Sequence, residues 1–126
     1  VDYSWKSTRF YTSGDGGYDS HFKEIGKKYG PFNMTLIEGG QYDRRWPWVH
    51  MTPEEAIQAH LDVNGKNSML IHWGAFTLAY HGWTEPVERA LQKAKEANVK
   101  LITPKIGETV PLIGEFSVPF SSWWKI

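Results

Sequence analysis

Thr8-Arg9-Phe10-Tyr11-Thr12 runs into Ser13-Gly14-Asp15-Gly16-Gly17-Tyr18, and the reading of this stretch governs the rest of the chain. Its first part, rich in aromatic and β-branched side chains, reads as a strand. Its second part is a glycine-dense loop in which the backbone can turn tightly, with one carboxylate at its centre. A parallel construction returns at Ser68-Met69-Leu70-Ile71, a short apolar run suited to a buried strand, which delivers His72 just before Trp73-Gly74. In layered α/β folds, ligands collect at the loops beyond strand ends. A carboxylate and an imidazole carried there are sensible ligands for a hard or borderline divalent cation. Taken singly, an Asp in a Gly-rich loop is more often a turn former, and a His ending an apolar strand more often a hydrogen-bonded structural residue.

Between and beyond these two strands the pattern alternates. Phe22, Ile25 and Tyr29 recur at helical spacing from about Ser20, and Gly30-Pro31 closes that helix. Met34-Thr35-Leu36-Ile37 reads as a second buried strand, followed by a long loop from Gly39 to Met51. Thr52-Pro53-Glu54-Glu55 is a strong helix start, with a capping Thr, a Pro at the first helical position and a Glu placed to complete a capping box. That helix is expected to run to about Val63. Thr84-Glu85-Pro86 starts another, with Val87, Ala90, Leu91 and Ala94 on one face and charges opposite. Val99 to Thr103 and Thr109 to Ile113 read as further short strands. Strands alternating with helices predict an α/β layered arrangement, and strands without clean polar alternation predict a sheet covered on both faces.

Composition narrows the function. The 126 residues are the size of one ordinary domain. Fourteen basic and fourteen acidic residues cancel, which leaves no long-range field to steer nucleic acid toward the chain. No nucleic-acid partner is expected. The sequence has no cysteine, so disulfides, thiolate metal sites and Cys nucleophiles are excluded, and a metal site would have to use His and carboxylates. No apolar run approaches the length of a transmembrane helix, and Val1-Asp2-Tyr3-Ser4 has no signal-peptide pattern, so a cytoplasmic location is expected. The seven Trp supply material for a core or for an aromatic-lined cleft; Trp46, Trp48, Trp73 and Trp83 would line such a cleft if they faced one way, with core packing as the default.

The histidines divide by position. His21 lies in the first turn of a charged helix and reads as solvated; His60 reads as half-buried and structural; His81 sits in a loop of no particular signal. His50 ends a loop of Arg and Trp and directly precedes a helix N-terminus, where free backbone N–H groups suit a phosphate or other anion. Arg44 and Arg45 could add an anion clamp, simple solvated charge being the commoner outcome. A packed loop histidine is the equally weighted alternative for His50.

The order of these motifs changes the odds. Phe10 through Tyr18 resembles the strand and Gly-Asp-x-Gly-Tyr turn of metallo-β-lactamase-fold hydrolases. Gly30-Pro31-Phe32-Asn33-Met34, Gly39-Gly40-Gln41-Tyr42, His50-Met51-Thr52-Pro53-Glu54-Glu55-Ala56 and Ile71-His72-Trp73-Gly74-Ala75-Phe76 continue the match in sequence. The set is similar to the branch that contains N-acyl-phosphatidylethanolamine-hydrolysing phospholipase D and its bacterial relatives. The resemblance implies a hydrolase of phosphodiesters or lactones that uses a metal-bound hydroxide and two divalent metal ions, zinc by ligand type. It places Asp15 as the carboxylate bridging the ions and His72 as a ligand of the second ion. It also places His50 as the catalytic group at the substrate side; Tyr42 and Arg45 are the substrate-binding residues expected beside it. The family's His-x-His-x-Asp-His motif occurs nowhere in the chain. Residues 1–126 are therefore expected to form the C-terminal half of a four-layer αββα sandwich, with a mixed sheet covered by helices. Such a half would bind metal weakly or not at all and be inactive alone. Its partners would be the N-terminal half of the same fold and a small-molecule substrate. The alternative is a non-catalytic half-fold module that forms a homo-oligomer through its sheet face.

Overall fold

Each of the first three strands is followed by a helix that returns the backbone to a neighbouring strand in the same direction, and this repeated step builds the described sheet. The computed structural model describes residues 8–111 and 121–125. In order these are β1 (Phe10–Thr12), α1 (His21–Tyr29), β2 (Phe32–Glu38), α2 (Pro53–Asp62), β3 (Gly65–Ile71), α3 (Glu85–Glu96) and β4 (Lys100–Ile102). The sheet order is β1-β2-β3-β4, with each strand parallel to its neighbour. Where a mixed sheet was expected, every pairing among the described residues is parallel, because helical crossovers carry the chain back to the starting edge. All three crossovers step in one direction across the sheet, so their right-handedness places all three helices on the same face.

That face holds the main core. Phe22 from α1, Ala56, Ile57 and Ala59 from α2, Ala90 and Ala94 from α3, and Phe32, Ile37, Leu70 and Leu101 from the strands are all buried in one cluster. Full burial of a side chain such as Phe22 or Ile57 stabilises the fold by about 1.5–3 kcal/mol. Strand residues alternate faces, so Met34, Leu36, Met69 and Ile102 form a second, smaller cluster away from the helices. Leu36 and Met69 are only partly buried there. One helical layer on a sheet whose other face is apolar is the geometry of half an αββα sandwich.

α2 lies at the centre of the helical layer and starts as the sequence predicts. Thr52 Oγ1 accepts the Glu55 N–H at 3.1 Å, the Glu55 carboxylate accepts the Thr52 N–H at 2.9 Å, and Pro53 takes the first turn. His60, expected half-buried, is 1% exposed and bonded through Nδ1 to Thr35 Oγ1 at 2.7 Å. Burial holds its pKa down at about 4. Beyond β4, Thr109–Pro111 is irregular where a strand was expected; Leu112 and Ile113 lie outside the described residues. Trp123 and Trp124 pack against Trp73, with ring centroids 5.2 and 5.7 Å away, and Trp124 Nε1 donates to Glu88 at 2.7 Å.

Candidate functional site

Three parallel strands end at one edge of the sheet, and each end carries a polar residue: Asp15 after β1, Glu38 closing β2 and His72 after β3. The Ser13 N–H still bonds the Leu36 carbonyl at 3.0 Å, after which Gly14 turns the chain with φ +66° and leaves Asp15 exposed. The Asp15 side chain makes no hydrogen bond or ion pair among the described residues. His72 is also exposed, and its backbone adopts φ +66°, a left-handed conformation uncommon outside glycine. Backbone outliers of this kind cluster at functional sites, where the surrounding structure holds them in place.

The holding structure is visible. A Cβ on Gly40 would stand 1.9 Å from the His72 carbonyl oxygen, so only glycine permits the β2 exit to lie against the β3 exit. Gln41 then locks the two together. Its amide nitrogen donates to the carbonyls of His72 at 3.1 Å and Phe76 at 3.0 Å, while its oxygen accepts the Leu78 N–H. On the other side, a Cβ on Gly17 would meet the Trp48 carbonyl at 2.3 Å, which presses the Asp15 loop onto the turn that leads to His50.

Asp15 and His72 thus share one sheet edge, with β2 between their strands rather than on adjacent strands. Two strand spacings amount to roughly 9–10 Å between the backbones. Glu38 occupies the middle position. It is fully buried, and its Oε1 accepts the Met51 N–H at 2.7 Å and lies 3.4 Å from His50 Nδ1. Its Oε2 has no hydrogen-bond partner, and neither does His50 Nδ1. Burial pushes the Glu38 carboxyl up to about 7; the Asp15 charge adds to that, while the N–H groups of Met51 and Gly40 oppose it.

His50 lines a cavity of about 700 Å³ with Tyr42, Arg44, Tyr80, His81, Glu85 and Arg89 among its neighbours. The backbone donors beside it are already engaged: Met51 N–H by Glu38, and the first turn of α2 by the capping box. The capping box thus takes the Thr52 and Glu55 N–H groups at the start of α2. Tyr42 is buried in the cavity wall, its hydroxyl bonded to Glu85, its ring stacked on His81 at 4.2 Å and covered by the Arg89 guanidinium at 4.7 Å. Burial and the Glu85 hydrogen bond hold its phenol protonated well above the ordinary range. Arg89 is in turn bidentate to Glu54 at 2.8 and 2.7 Å, which ties α3 to α2. Arg45 grips Asp43 with two bonds of 2.9 and 2.8 Å and lies between the Trp46 and Tyr80 rings. The Arg45 side-chain hydrogen bonds hold the Asp43 carboxyl well below its usual range. Of the four tryptophans considered for a cleft, Trp46 and Trp73 are half-buried, while Trp48 and Trp83 are exposed.

The donor set fits a divalent cation in part. Asp15 and His72 offer one oxygen and one nitrogen of the right chemistry, unclaimed by other side chains. Among the described residues no group of three or more His, Cys, Asp or Glu comes together, so these two would contribute to a site whose remaining donors come from elsewhere.

Comparison with known proteins bears on the same segment. The family model described as the beta-lactamase superfamily domain matches residues 3–73, which include Asp15, Glu38, His50 and His72. The chain is 43% identical over 121 residues to an uncharacterized protein of Mycobacterium tuberculosis, covering 94% of this chain and 32% of that protein. It is 40% identical over 94 residues to N-acyl-phosphatidylethanolamine-hydrolyzing phospholipase D 1 of Caenorhabditis elegans, covering 72% of this chain and 26% of the relative. With the outer membrane protein RomA of Klebsiella pneumoniae it shares 42% identity over 66 residues, 52% of this chain and 50% of that protein. A fold of parallel strands with ligand-type residues at one edge, matched over this length, defines the class: the chain belongs to the beta-lactamase superfamily domain family, with a metallo-β-lactamase-type fold represented in part. It spans about a third of the length of the M. tuberculosis relative.

Proposed function

We propose that this chain forms part of a metal-dependent hydrolase of phosphodiesters or lactones, complete only with the N-terminal half of the same fold. The observation that carries the reading is the pair Asp15 and His72, both exposed, both without side-chain partners among the described residues, at one sheet edge inside the family-matched segment. These two would hold divalent metal, zinc by donor type, which supplies Lewis-acid polarisation of the scissile group and makes water more acidic. The chain's own residues do the rest. His50 faces the cavity as the group that donates to or accepts from the departing oxygen. Tyr42, fixed by Glu85, His81 and Arg89, gives the cavity a rigid wall, and Arg44 is a cation on its lining. Arg45 braces the rim through Asp43.

The test uses the intact parent protein, bis(p-nitrophenyl) phosphate and a simple lactone. Asp15→Asn lowers kcat/KM by roughly a hundredfold or more, and His72→Ala lowers bound metal measured by elemental analysis. Both variants working at the wild-type rate with full metal would overturn the assignment. The 126-residue chain alone should hold little zinc; tight stoichiometric zinc argues against a shared site.

A second reading has its own support. Trp48, Phe76, Leu78 and Tyr80 are each more than 70% exposed, and the sheet face bearing Leu36 and Met69 is incompletely covered. Surface of this kind suits a non-catalytic module that self-associates. Sedimentation equilibrium separates the two: a concentration-dependent dimer without hydrolysis favours the module, and a monomer at high concentration removes it.

A further inference from the structure

Glu38 Oε2 and His50 Nδ1 are buried without hydrogen-bond partners among the described residues, and they belong to two side chains that lie beside each other. Glu38 is 0% exposed. Its Oε1 takes the Met51 N–H at 2.7 Å and stands 3.4 Å from His50 Nδ1. That separation is within ion-pair range but outside hydrogen-bond geometry, so His50 Nδ1 is unbonded; Glu38 Oε2 has no partner either. A buried carboxylate with spare acceptor capacity destabilises a fold, and an apolar side chain of similar size in its place is often neutral or stabilising. Its placement is intelligible as service to the imidazole. A carboxylate beside one ring nitrogen favours the proton on that nitrogen and frees the other. His50 Nδ1 is sealed from solvent while the side chain as a whole is 22% exposed, so the accessible part of the ring is the remainder, on the cavity.

We infer that Glu38 is a positioning residue for His50: its buried carboxylate holds the proton on His50 Nδ1 and so presents Nε2 to the cavity. The contact is completed by a small rotation of the imidazole that converts the 3.4 Å approach into a charge-assisted hydrogen bond. Nε2 then accepts a proton, or as imidazolium donates one, with Glu38 steadying the positive ring. The inference deepens the hydrolase reading and rests on it for the use of Nε2, but the tautomer itself can be measured without any turnover.

The experiment labels the histidines of the intact protein with nitrogen-15 and reads ring protonation from two-bond proton–nitrogen correlations, His50→Gln serving to assign the signal. His50 is expected as the Nδ1–H tautomer. Glu38→Met, with folding checked by near-ultraviolet circular dichroism, should release it into a mixture; if that variant does not fold, Glu38→Gln takes its place, with a measurable change in the Nδ1 shift. A wild-type His50 protonated on Nε2, or one unmoved in a folded variant, overturns the inference. In turnover of bis(p-nitrophenyl) phosphate, Glu38→Gln should lower kcat by roughly tenfold or more with KM within about twofold, and Glu38→Asp should recover part of it. An unchanged kcat in Glu38→Gln contradicts the role in catalysis. If the wild-type protein hydrolyses neither substrate class, the hydrolase reading fails while the tautomer still decides the Glu38–His50 relation.

Discussion

His60 and His50 both face residues of β2, His60 meeting Thr35 and His50 meeting Glu38 three positions further along the strand. Under the last turn of α2, Thr35 Oγ1 bonds His60 Nδ1 at 2.7 Å and donates onward to Ser68 Oγ at 3.0 Å, so the ring is fixed and neutral inside the core. Ahead of α2, Glu38 and His50 approach to 3.4 Å and leave Oε2 and Nδ1 unbonded. The first arrangement is what packing alone selects: every buried polar atom is matched. The second keeps a destabilising carboxylate at a cavity edge, the trade that functional sites make against stability.

The largest expected effect that sharpens this contrast is on pH dependence. His60 has a folded pKa of about 4, below its ordinary 6.5, so the folded state binds fewer protons than the unfolded one between these values; its stabilisation is lost as pH falls through that window. Glu38 has a folded pKa of about 7, above its ordinary 4.5, so the folded state binds more protons there, and stability is lost as pH rises toward 7. The two oppose each other. Glu38→Gln removes one side, so urea unfolding at pH 8 should show a gain of about 1–3 kcal/mol that closes by pH 4.5. Parallel wild-type and variant curves would show that Glu38 is ordinary surface charge.

Next in size, Thr35→Val strips His60 of its partner and should lower stability by about 1–3 kcal/mol in chemical denaturation while leaving kcat within about twofold. A loss of activity matching that of a His50 variant would erase the distinction between the pairs. Thr52→Ala removes the capping bond at the His50 end of α2 and should lower stability by about 1 kcal/mol, with hydrogen exchange quickening at Glu55 before it does near His60. The smallest stability change belongs to His50→Asn, within about 0.5 kcal/mol, because the Asn amide can offer Glu38 an N–H in place of the imidazole's. Its hydrolysis should nonetheless fall.

What could be read from sequence was what is encoded locally. The capping box at Thr52 and Glu55, the Pro-started third helix and the glycine turn at Asp15 all depend on residues within a few positions of one another, and each stands where its pattern put it. Glu38 and Gln41 gave no such signal. A carboxylate or amide beside Gly39-Gly40 reads as a solvated turn, and both are buried only because the chain from 42 to 51 folds back over them and the 72–78 segment closes from the other side. Arg45 shows the reverse error of scale: its charge was legible, but the Asp43 two residues away that engages it decides what the charge does. The parallel direction of every described pairing follows from the helical connections, which the alternation of strand and helix already contained.

The left-handed backbone at His72 filters which residues that position accepts. Saturation mutagenesis selected only for folded protein should enrich glycine and asparagine there and discard valine and isoleucine, since branching at Cβ clashes in that region of backbone space. Selection for turnover should bring histidine back against that bias. The gap between the two enrichment profiles measures how far chemistry, rather than chain geometry, has chosen the residue.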